Sequence, residues 1–311
     1  MPLSDIAPGA DFVGFALVKS AESKTTASGK PFVAYLLQDR SGAIRTNHWD
    51  ATEAIPAGTL VKFAGKGEEY NGALQFRLDP HRFRPVEPRD NVALADFLPT
   101  APEPVEDMMA EVRATVEAMS DPDYRALVTA LLDDASGTML RFPAAQAMHH
   151  AEIGGLLHHV TSMLRAAKAL CGVYADLRPD LLFAGVILHD FGKMEEMERD
   201  SAGLVCGYTA PGKLLGHIHL GALRIAKAAE RIGTPPEKSM LLQHMVLAHH
   251  GCPEWGSPMP ARFPEAEVLA SLDLLDARLF EMRAALEHTA PGGFSERVAA
   301  LDRRELYRAG E

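Results

Sequence analysis

His189 and Asp190 lie side by side where an apolar stretch, residues 181–188, comes to an end. A charged carboxylate is costly to bury beside such a stretch unless it is paired or binds a metal ion. Two further candidate ligands flank the pair along the chain, His159 before it and Asp273 after it. Imidazole and carboxylate groups without thiolates suit a divalent ion such as Mn, Fe, Co or Zn. The four residues therefore predict a metal-dependent enzyme.

A second group of candidate ligands, His217, His249 and His250, lies beside glycines at predicted helix ends. Helix ends can expose imidazoles to a shared cavity, although a His-His-Gly sequence also occurs at ordinary helix ends. If this trio meets the first group, a second ion can bind, with Asp190 as the bridging carboxylate. Two ions about 3.5–4 Å apart contact both the attacking and the leaving oxygen in phosphoryl chemistry and generate hydroxide at neutral pH.

Lys193 follows the His-Asp pair by one helical turn, and we predict that it contacts a phosphate oxygen as a point charge. The alternative is a solvated lysine beside Glu195 and Glu196. No Gly-rich phosphate loop, GxSxG motif or Cys/His nucleophile pattern stands out in the sequence. Attack by metal-bound water, with Asp190 and Lys193 as catalytic residues, is therefore favoured over attack by a side chain.

Length and composition limit the class of protein. The 311 residues, 47% hydrophobic and 23% charged, suffice for about two soluble domains. No stretch approaches the ~20 apolar residues of a membrane span, and no signal peptide pattern is visible. Three cysteines, Cys171, Cys206 and Cys252, stand far apart, which favours reduced thiols over a disulfide framework. We predict a cytoplasmic protein without a membrane partner, and the sequence leaves homo-oligomer formation open.

The net charge of −11 is unevenly distributed along the chain. Residues 1–98 hold 11 Lys+Arg and 12 Asp+Glu, whereas the remainder holds 20 and 30. This excess of acidic residues argues against wholesale electrostatic binding of a long nucleic acid by the C-terminal part. A polyanion would have to be held locally, by metal ions and a few basic side chains.

The N-terminal part has the pattern of β structure. Five short runs rich in aromatic and β-branched residues are separated by Gly, Ser, Asp and Asn, at residues 12–18, 31–38, 43–49, 59–63 and 73–78. Five strands in this length suit a small Greek-key barrel, most commonly an OB-fold. Tyr35, Trp49 and Phe76 are candidate stacking platforms for bases. The same aromatics can equally fill the barrel core, and for Phe76 the core is favoured.

The rest of the chain has the three- and four-residue apolar spacing of helices. Residues 1–95 are therefore predicted as an OB-like domain, residues 96–105 as a Pro-rich linker, and residues 106–311 as an all-α domain. Predicted helices cover 122–134, 152–171, 179–190, 216–231, 237–250 and 265–288. Gly192 is predicted to end one of them as a left-handed cap. Ligands projecting from separate helices are how helical bundles build metal sites.

These residues carry a family resemblance that spans nearly the whole chain. His159, His189-Asp190 and Asp273 resemble the H…HD…D signature of HD-domain metal-dependent phosphohydrolases. More narrowly, the chain resembles YhaM-type 3′–5′ exoribonucleases, in which an OB-fold precedes an HD domain. The supporting strings are GKPF at 29–32, LQD at 37–39, HHA at 149–151, GGL at 154–156, AGVILHD at 184–190, LLGHI at 214–218, LLQHMVL at 241–247, HHG at 249–251 and EWGSP at 254–258.

The resemblance implies a hydrolase dependent on a divalent metal, Mn first, that removes nucleotides from the 3′ ends of single-stranded RNA. By analogy with dinuclear HD proteins, His217, His249 and His250 would hold a second ion. His149 and His150 belong to one of the family strings without an assigned role. The near-neutral charge of residues 1–98 departs from the basic groove expected of an RNA-binding barrel.

Three other functions remain open from the sequence. An HD-domain phosphodiesterase or phosphatase acting on a small nucleotide or cyclic dinucleotide fits the acidic C-terminal part better than the barrel. A binding module with a vestigial site is disfavoured by the intact set of ligands. An HD-type di-iron oxygenase fits the ligand types, although no residue specifies its substrate.

Overall fold

Two compact units make up the chain in this computed structural model, one built mainly from Met1–Pro99 and the other from Thr100–Arg199 and Gly207–Glu311. The structure describes residues 1–26, 28–70, 73–92, 97, 101–140, 142, 153–199, 205–287 and 289–310. The predicted linker at 96–105 lies partly outside these residues, and His149 and His150 lie outside them entirely. The predicted domain bounds therefore stay a prediction.

Five strands close into a barrel in the first unit. The strands are β1 (Asp11–Thr25), β2 (Pro31–Asp39), β3 (Gly42–Trp49), β4 (Leu60–Tyr70) and β5 (Ala73–Pro85). Their order around the barrel is β1-β2-β3-β5-β4, and β4 pairs with β1 to complete the ring. Most neighbours are antiparallel, while β3 and β5 pair in parallel at Thr46 and Phe76. This order is that of a five-stranded Greek-key barrel of the OB type, as predicted.

The barrel core follows from the two-residue alternation of its strands. In β2, Val33, Tyr35 and Leu37 point inward and are at most 2% exposed. Phe76 is also buried, and its ring lies 5.3 Å from that of Phe63 between ring centroids. The prediction that Tyr35 is a stacking platform is therefore wrong, because Tyr35 shares the inward face with two aliphatic neighbours. Its hydroxyl accepts a hydrogen bond from the backbone N–H of Ile55 at 2.8 Å.

The second unit is helical apart from one short two-stranded sheet. Its helices are α1 (Val105–Glu117), α2 (Pro122–Met139), α3 (Gly155–Val173), α4 (Pro179–Leu188), α5 (Lys193–Glu196), α6 (Ala210–Ile232), α7 (Pro236–Ala248) and α8 (Pro264–Glu287). Strands β6 (Met197–Arg199) and β7 (Val205–Tyr208) form the sheet. The predicted helices are present, with ends shifted by a few residues. Among the described residues, no helix has both the length and the apolar character to cross a membrane.

Helix α4 forms the centre of this unit. It is apolar on every side, and Leu181, Leu182, Val186, Ile187 and Leu188 are fully buried. A helix that is hydrophobic all round is stable only when other elements cover it, and here α3, α7 and α8 pack against it. The His-Asp pair that follows α4 therefore lies in the interior of the unit.

Two local predictions differ from the structure. Helix α6 begins at Ala210 instead of residue 216, and Gly216 interrupts it with φ 71° and ψ 160°. Gly192 does not adopt a left-handed conformation, since its φ is −64° and its ψ is −22°. A glycine is required there for space, because a Cβ at this position would overlap the backbone of His217 and Gly221 on α6.

Candidate metal centre

The buried end of α4 positions the first two candidate ligands. His189 continues the helical conformation after Leu188, and its Nδ1 donates a hydrogen bond to the carbonyl oxygen of Val186 at 2.8 Å. Asp190 follows and is 2% exposed, whereas His189 is fully buried. The apolar helix thus places an imidazole and a carboxylate where solvent does not reach them.

Two more predicted ligands meet this pair from neighbouring helices. His159 on α3 is fully buried, and its Nε2 lies 3.2 Å from His189 Nε2 and 3.2 Å from Asp273 Oδ1 on α8. Oδ2 of Asp190 lies 3.3 Å from His189 Nε2 and 4.0 Å from His159 Nε2. The structure therefore brings together all four residues of the first predicted group.

The second predicted group approaches the other oxygen of the same carboxylate. Oδ1 of Asp190 lies 3.6 Å from Nε2 of His217 on α6 and 3.7 Å from Nε2 of His249 at the end of α7. His250 adjoins them, with its ring centroid 4.2 Å from that of His249 and 5.2 Å from that of His217. His217, His249 and His250 are spaced to share one metal ion. Asp190 therefore faces a different histidine group with each of its two oxygens.

The outer ring nitrogen of each histidine is fixed by an acceptor. Nδ1 of His189, His249 and His250 donates to the carbonyl oxygens of Val186, Val246 and Trp255. Nδ1 of His159 donates to Asp276 Oδ2 at 2.7 Å, and Nδ1 of His217 donates to Glu196 Oε1 at 3.1 Å. A neutral imidazole whose Nδ1 is the donor has a free lone pair on Nε2. Such outer hydrogen bonds are the usual support of metal-binding histidines.

The hydrogen bonding of three buried atoms shows whether the cluster fits a cation. Oδ1 of Asp190, Nε2 of His217 and Nε2 of His249 are buried without a hydrogen-bond partner among the described residues. Buried polar atoms are normally satisfied, so such a group needs an explanation. All three are electron-pair donors turned toward one another, and a divalent cation between them would satisfy all three. The donor types and the burial therefore fit a divalent metal centre.

Electrostatic interactions within the cluster favour ionised carboxylates. Burial raises the pKa of Asp190, but opposing effects, first of all the positive charge of Lys193, outweigh it and hold that pKa well below its usual range. Burial of His159 opposes protonation, but hydrogen bonds to Asp273 and Asp276 raise its pKa to about 9. His159 must release that proton before Nε2 can bind a metal ion, so metal binding at this position is coupled to proton release.

Lys193 contacts the carboxylate that both histidine groups share. Its Nζ lies 2.6 Å from Asp190 Oδ2, and its side chain is 12% exposed. The ammonium group is thus held at the centre by an ion pair, and the alternative of a solvated lysine beside Glu195 and Glu196 does not describe it. Its predicted contact with a phosphate oxygen stays a prediction.

Two residues of the centre were missed by the sequence analysis, Asp276 and Glu196. Asp276 lies one turn after Asp273 on α8, and this i, i+3 spacing places both carboxylates on one helix face, which was an available signal. Ser162 also donates to Asp276 at 2.6 Å. Glu196 gave no local signal, because α5 and α6 become neighbours only in the folded chain.

The barrel retains one predicted aromatic platform. Trp49 is 52% exposed at the end of β3, and its ring centroid lies 4.8 Å from that of Phe32 on β2. The two rings form an accessible aromatic pair on the barrel surface. Whether Trp49 binds a base stays a prediction.

Comparison with known proteins identifies similar chains. Residues 156–278 match the HD domain family. The chain is 40% identical over 298 residues to the 3′-5′ exoribonuclease YhaM of Bacillus subtilis strain 168, which covers 94% of this chain and 93% of that protein. It is 41% identical over 298 residues to the YhaM exoribonuclease of Bacillus licheniformis, with the same coverage. The matched HD segment contains every predicted metal ligand.

Proposed function

The chain belongs to the family of the 3′-5′ exoribonuclease YhaM, and from this membership we propose that it hydrolyses single-stranded RNA from the 3′ end at the centre around Asp190. The observation that carries the proposal is the position of the Asp190 carboxylate between two histidine groups. A carboxylate in this position would be able to serve both of two divalent ions. The products would be 5′-nucleotides released one at a time.

We propose that two ions bind, with Mn first and Fe, Co or Zn as alternatives. His159, His189, Asp190 and Asp273 would hold one ion, and Asp190, His217, His249 and His250 the other. When bound, the ions would supply Lewis acidity that activates water and offsets the charge of the phosphodiester. The imidazole and carboxylate donors suit these metals.

The surrounding residues would bind and position the strand. Lys193, already beside Asp190, would donate a hydrogen bond to a phosphate oxygen and offset negative charge as it develops. The Trp49–Phe32 pair on the barrel would stack on an unpaired base of the RNA. Stacking tolerates any base sequence. Because it does not depend on a basic surface, it would compensate in part for the near-neutral charge of the barrel.

The test follows the fate of one RNA. A 5′-labelled single-stranded RNA incubated with the protein and Mn is expected to shorten stepwise from its 3′ end, as resolved on a sequencing gel. Asp190→Ala should reduce this activity to the level of buffer, because it removes the carboxylate shared by both ions. Asp176→Ala is the matched control, since Asp176 is exposed and outside the centre. Undiminished shortening by Asp190→Ala would contradict the metal assignment.

The acidic charge of residues 99–311 supports a second candidate function, hydrolysis of a small nucleotide or cyclic dinucleotide. Both functions use the same centre and differ only in substrate. Competing substrates in one reaction distinguish them. A kcat/KM for a cyclic dinucleotide that exceeds the value for RNA would favour the small substrate.

A further inference from the structure

The candidate metal centre is largely buried, although some of its side chains, among them Asp273 at 15% exposure, reach solvent. His159, His189 and His249 are fully buried, and Asp190 is 2% exposed. The side chain of His217 is 14% exposed, and His250 is also partly exposed. Their rings lie 5.2 Å apart between centroids. His217 and His250 therefore form part of the accessible edge of the centre.

An exposed aromatic residue is joined through its backbone to His250. Trp255 ends a short 3-10 helix, Pro253–Trp255, and its indole is 52% exposed. Its carbonyl oxygen accepts the hydrogen bond from His250 Nδ1 at 2.6 Å. The hydroxyl of Ser257, which is fully buried, accepts a hydrogen bond from the backbone N–H of His250 at 3.0 Å. The backbone of this segment is therefore tied to His250, while the indole ring remains available.

Exposed apolar side chains also precede the other outer histidine, His217, along the chain. Leu214 is 82% exposed and Leu215 is 51% exposed. They directly precede Gly216, whose non-helical conformation redirects α6 just before His217. A single exposed leucine is ordinary on a protein surface. Here, exposed apolar residues occur on both chain segments that carry the outer histidines.

We propose that Trp255 forms a nucleobase-binding subsite of the metal centre, in which its indole stacks on the 3′-terminal base of the RNA. The subsite rests on the proposed exoribonuclease function and specifies how the last nucleotide is held. The base of the nucleotide being removed would lie near the phosphodiester at Asp190, and Trp255 is held through its backbone to His250 of the same centre. Stacking on an aromatic ring accepts every base, because each base has a π face. A subsite of this kind serves an enzyme that removes nucleotides one after another.

The geometry separates the role of the ring from the role of the backbone. Trp255 supports His250 through its main-chain carbonyl, and this hydrogen bond does not depend on the side chain. Replacing the indole therefore removes the proposed stacking surface while the support of His250 remains. A variant without the indole should bind Mn with unchanged affinity, as measured by isothermal titration calorimetry on the intact protein.

The experiment pairs a change in the protein with a change in the RNA. The ratio kcat/KM is measured with Mn for removal of the last nucleotide from two RNAs. One RNA ends in adenosine, and the other is the same RNA ending in an abasic ribose. The unmodified protein should prefer the adenosine end by about tenfold, within the range expected for stacking of one base. Trp255→Ala should abolish this preference, whereas Trp255→Phe should keep most of it. Met259→Ala is the matched control, because Met259 is 42% exposed in the same loop.

Each other outcome has a distinct meaning. Equal losses of kcat/KM by Trp255→Ala on both RNAs, or weaker Mn binding, would show that the indole supports the metal centre, and the subsite would be rejected. An unchanged preference in Trp255→Ala would also reject it, and a change in sedimentation would assign the indole to a contact between chains. Failure of the unmodified protein to shorten either RNA would instead contradict the proposed exoribonuclease function.

Discussion

Single residues outside the set of ligands determine which nitrogen each histidine presents. Asp276 holds Nδ1 of His159, so we expect Asp276→Ala to weaken Mn binding by roughly 10–100-fold, the usual effect of losing such a partner. Asp276→Asn should retain part of the affinity, because an amide oxygen still accepts the hydrogen bond but carries no charge. Isothermal titration calorimetry of the intact protein measures both effects.

Glu196 provides the comparison for the other half of the centre. It accepts hydrogen bonds from both the backbone N–H and Nδ1 of His217, at 3.0 Å and 3.1 Å. Binding of two Mn ions should give two steps in the calorimetric titration. If Asp276 acts through His159 alone, Asp276→Ala weakens one of these steps and Glu196→Gln weakens the other. Identical titrations for Asp276→Ala and the unmodified protein would refute the positioning role of Asp276.

The ligands could be predicted from sequence, while their supporting residues mostly could not. His189 and Asp190 follow an apolar run, and burial of such a pair has few explanations. Glu196 resembles any surface glutamate until α5 packs on α6. Tyr35, in contrast, gave a clear local pattern that did not determine its position. Its alternation with Val33 and Leu37 places it on their face, but alternation alone does not say which face of a strand lies inside.

At the scale of elements, the closeness of α5 and α6 positions His217 beside Asp190. The space for this contact is left by Gly192, whose missing side chain admits the backbone of His217 and Gly221. We expect Gly192→Ala to lower the free energy of unfolding by about 1–3 kcal/mol, as overpacking does, and to weaken Mn binding. Urea denaturation monitored by circular dichroism, together with Mn titration, tests both effects.

Gly172 is the matched control for this substitution. It lies near the end of α3, and a Cβ there would meet no atom within 4 Å. Alanine is favoured over glycine in a helix by roughly 0.5–1 kcal/mol, so Gly172→Ala should be neutral or stabilising. Equal destabilisation by both substitutions would show that the effect of Gly192→Ala does not come from the contact with α6.

The ends of α6 show why element boundaries were harder to predict than element types. Gly216 breaks the helical conformation, and the predicted helix starts at this glycine. The first turn, Ala210 onward, is marked instead by its cap, since the Thr209 hydroxyl accepts a hydrogen bond from the Gly212 N–H at 3.0 Å. The cap at Thr209 and the break at Gly216 are therefore two separate signals along one helix.

At the scale of the whole molecule, binding of an ion to the metal centre should stabilise the helical unit and leave the stability of the barrel unchanged. All candidate ligands lie in the helical unit, on α3, α6 and α8 and directly after α4 and α7. An ion that binds only the folded form at about 100 times its Kd stabilises that form by about 2.7 kcal/mol per site. For a unit of this size, each kcal/mol raises the midpoint of thermal unfolding by about 2–4 °C.

We therefore expect excess Mn to raise the unfolding midpoint of the helical unit by roughly 5–10 °C for each ion bound, relative to the protein in EDTA. The barrel, which holds none of the candidate ligands, should unfold at the same temperature in both conditions. Differential scanning calorimetry of the full chain measures both midpoints, and Asp190→Ala should remove most of the Mn-dependent shift because it deletes the carboxylate between the two histidine groups. An equal shift of both midpoints, or a full shift in Asp190→Ala, would mean that Mn stabilises the chain by binding somewhere other than this centre.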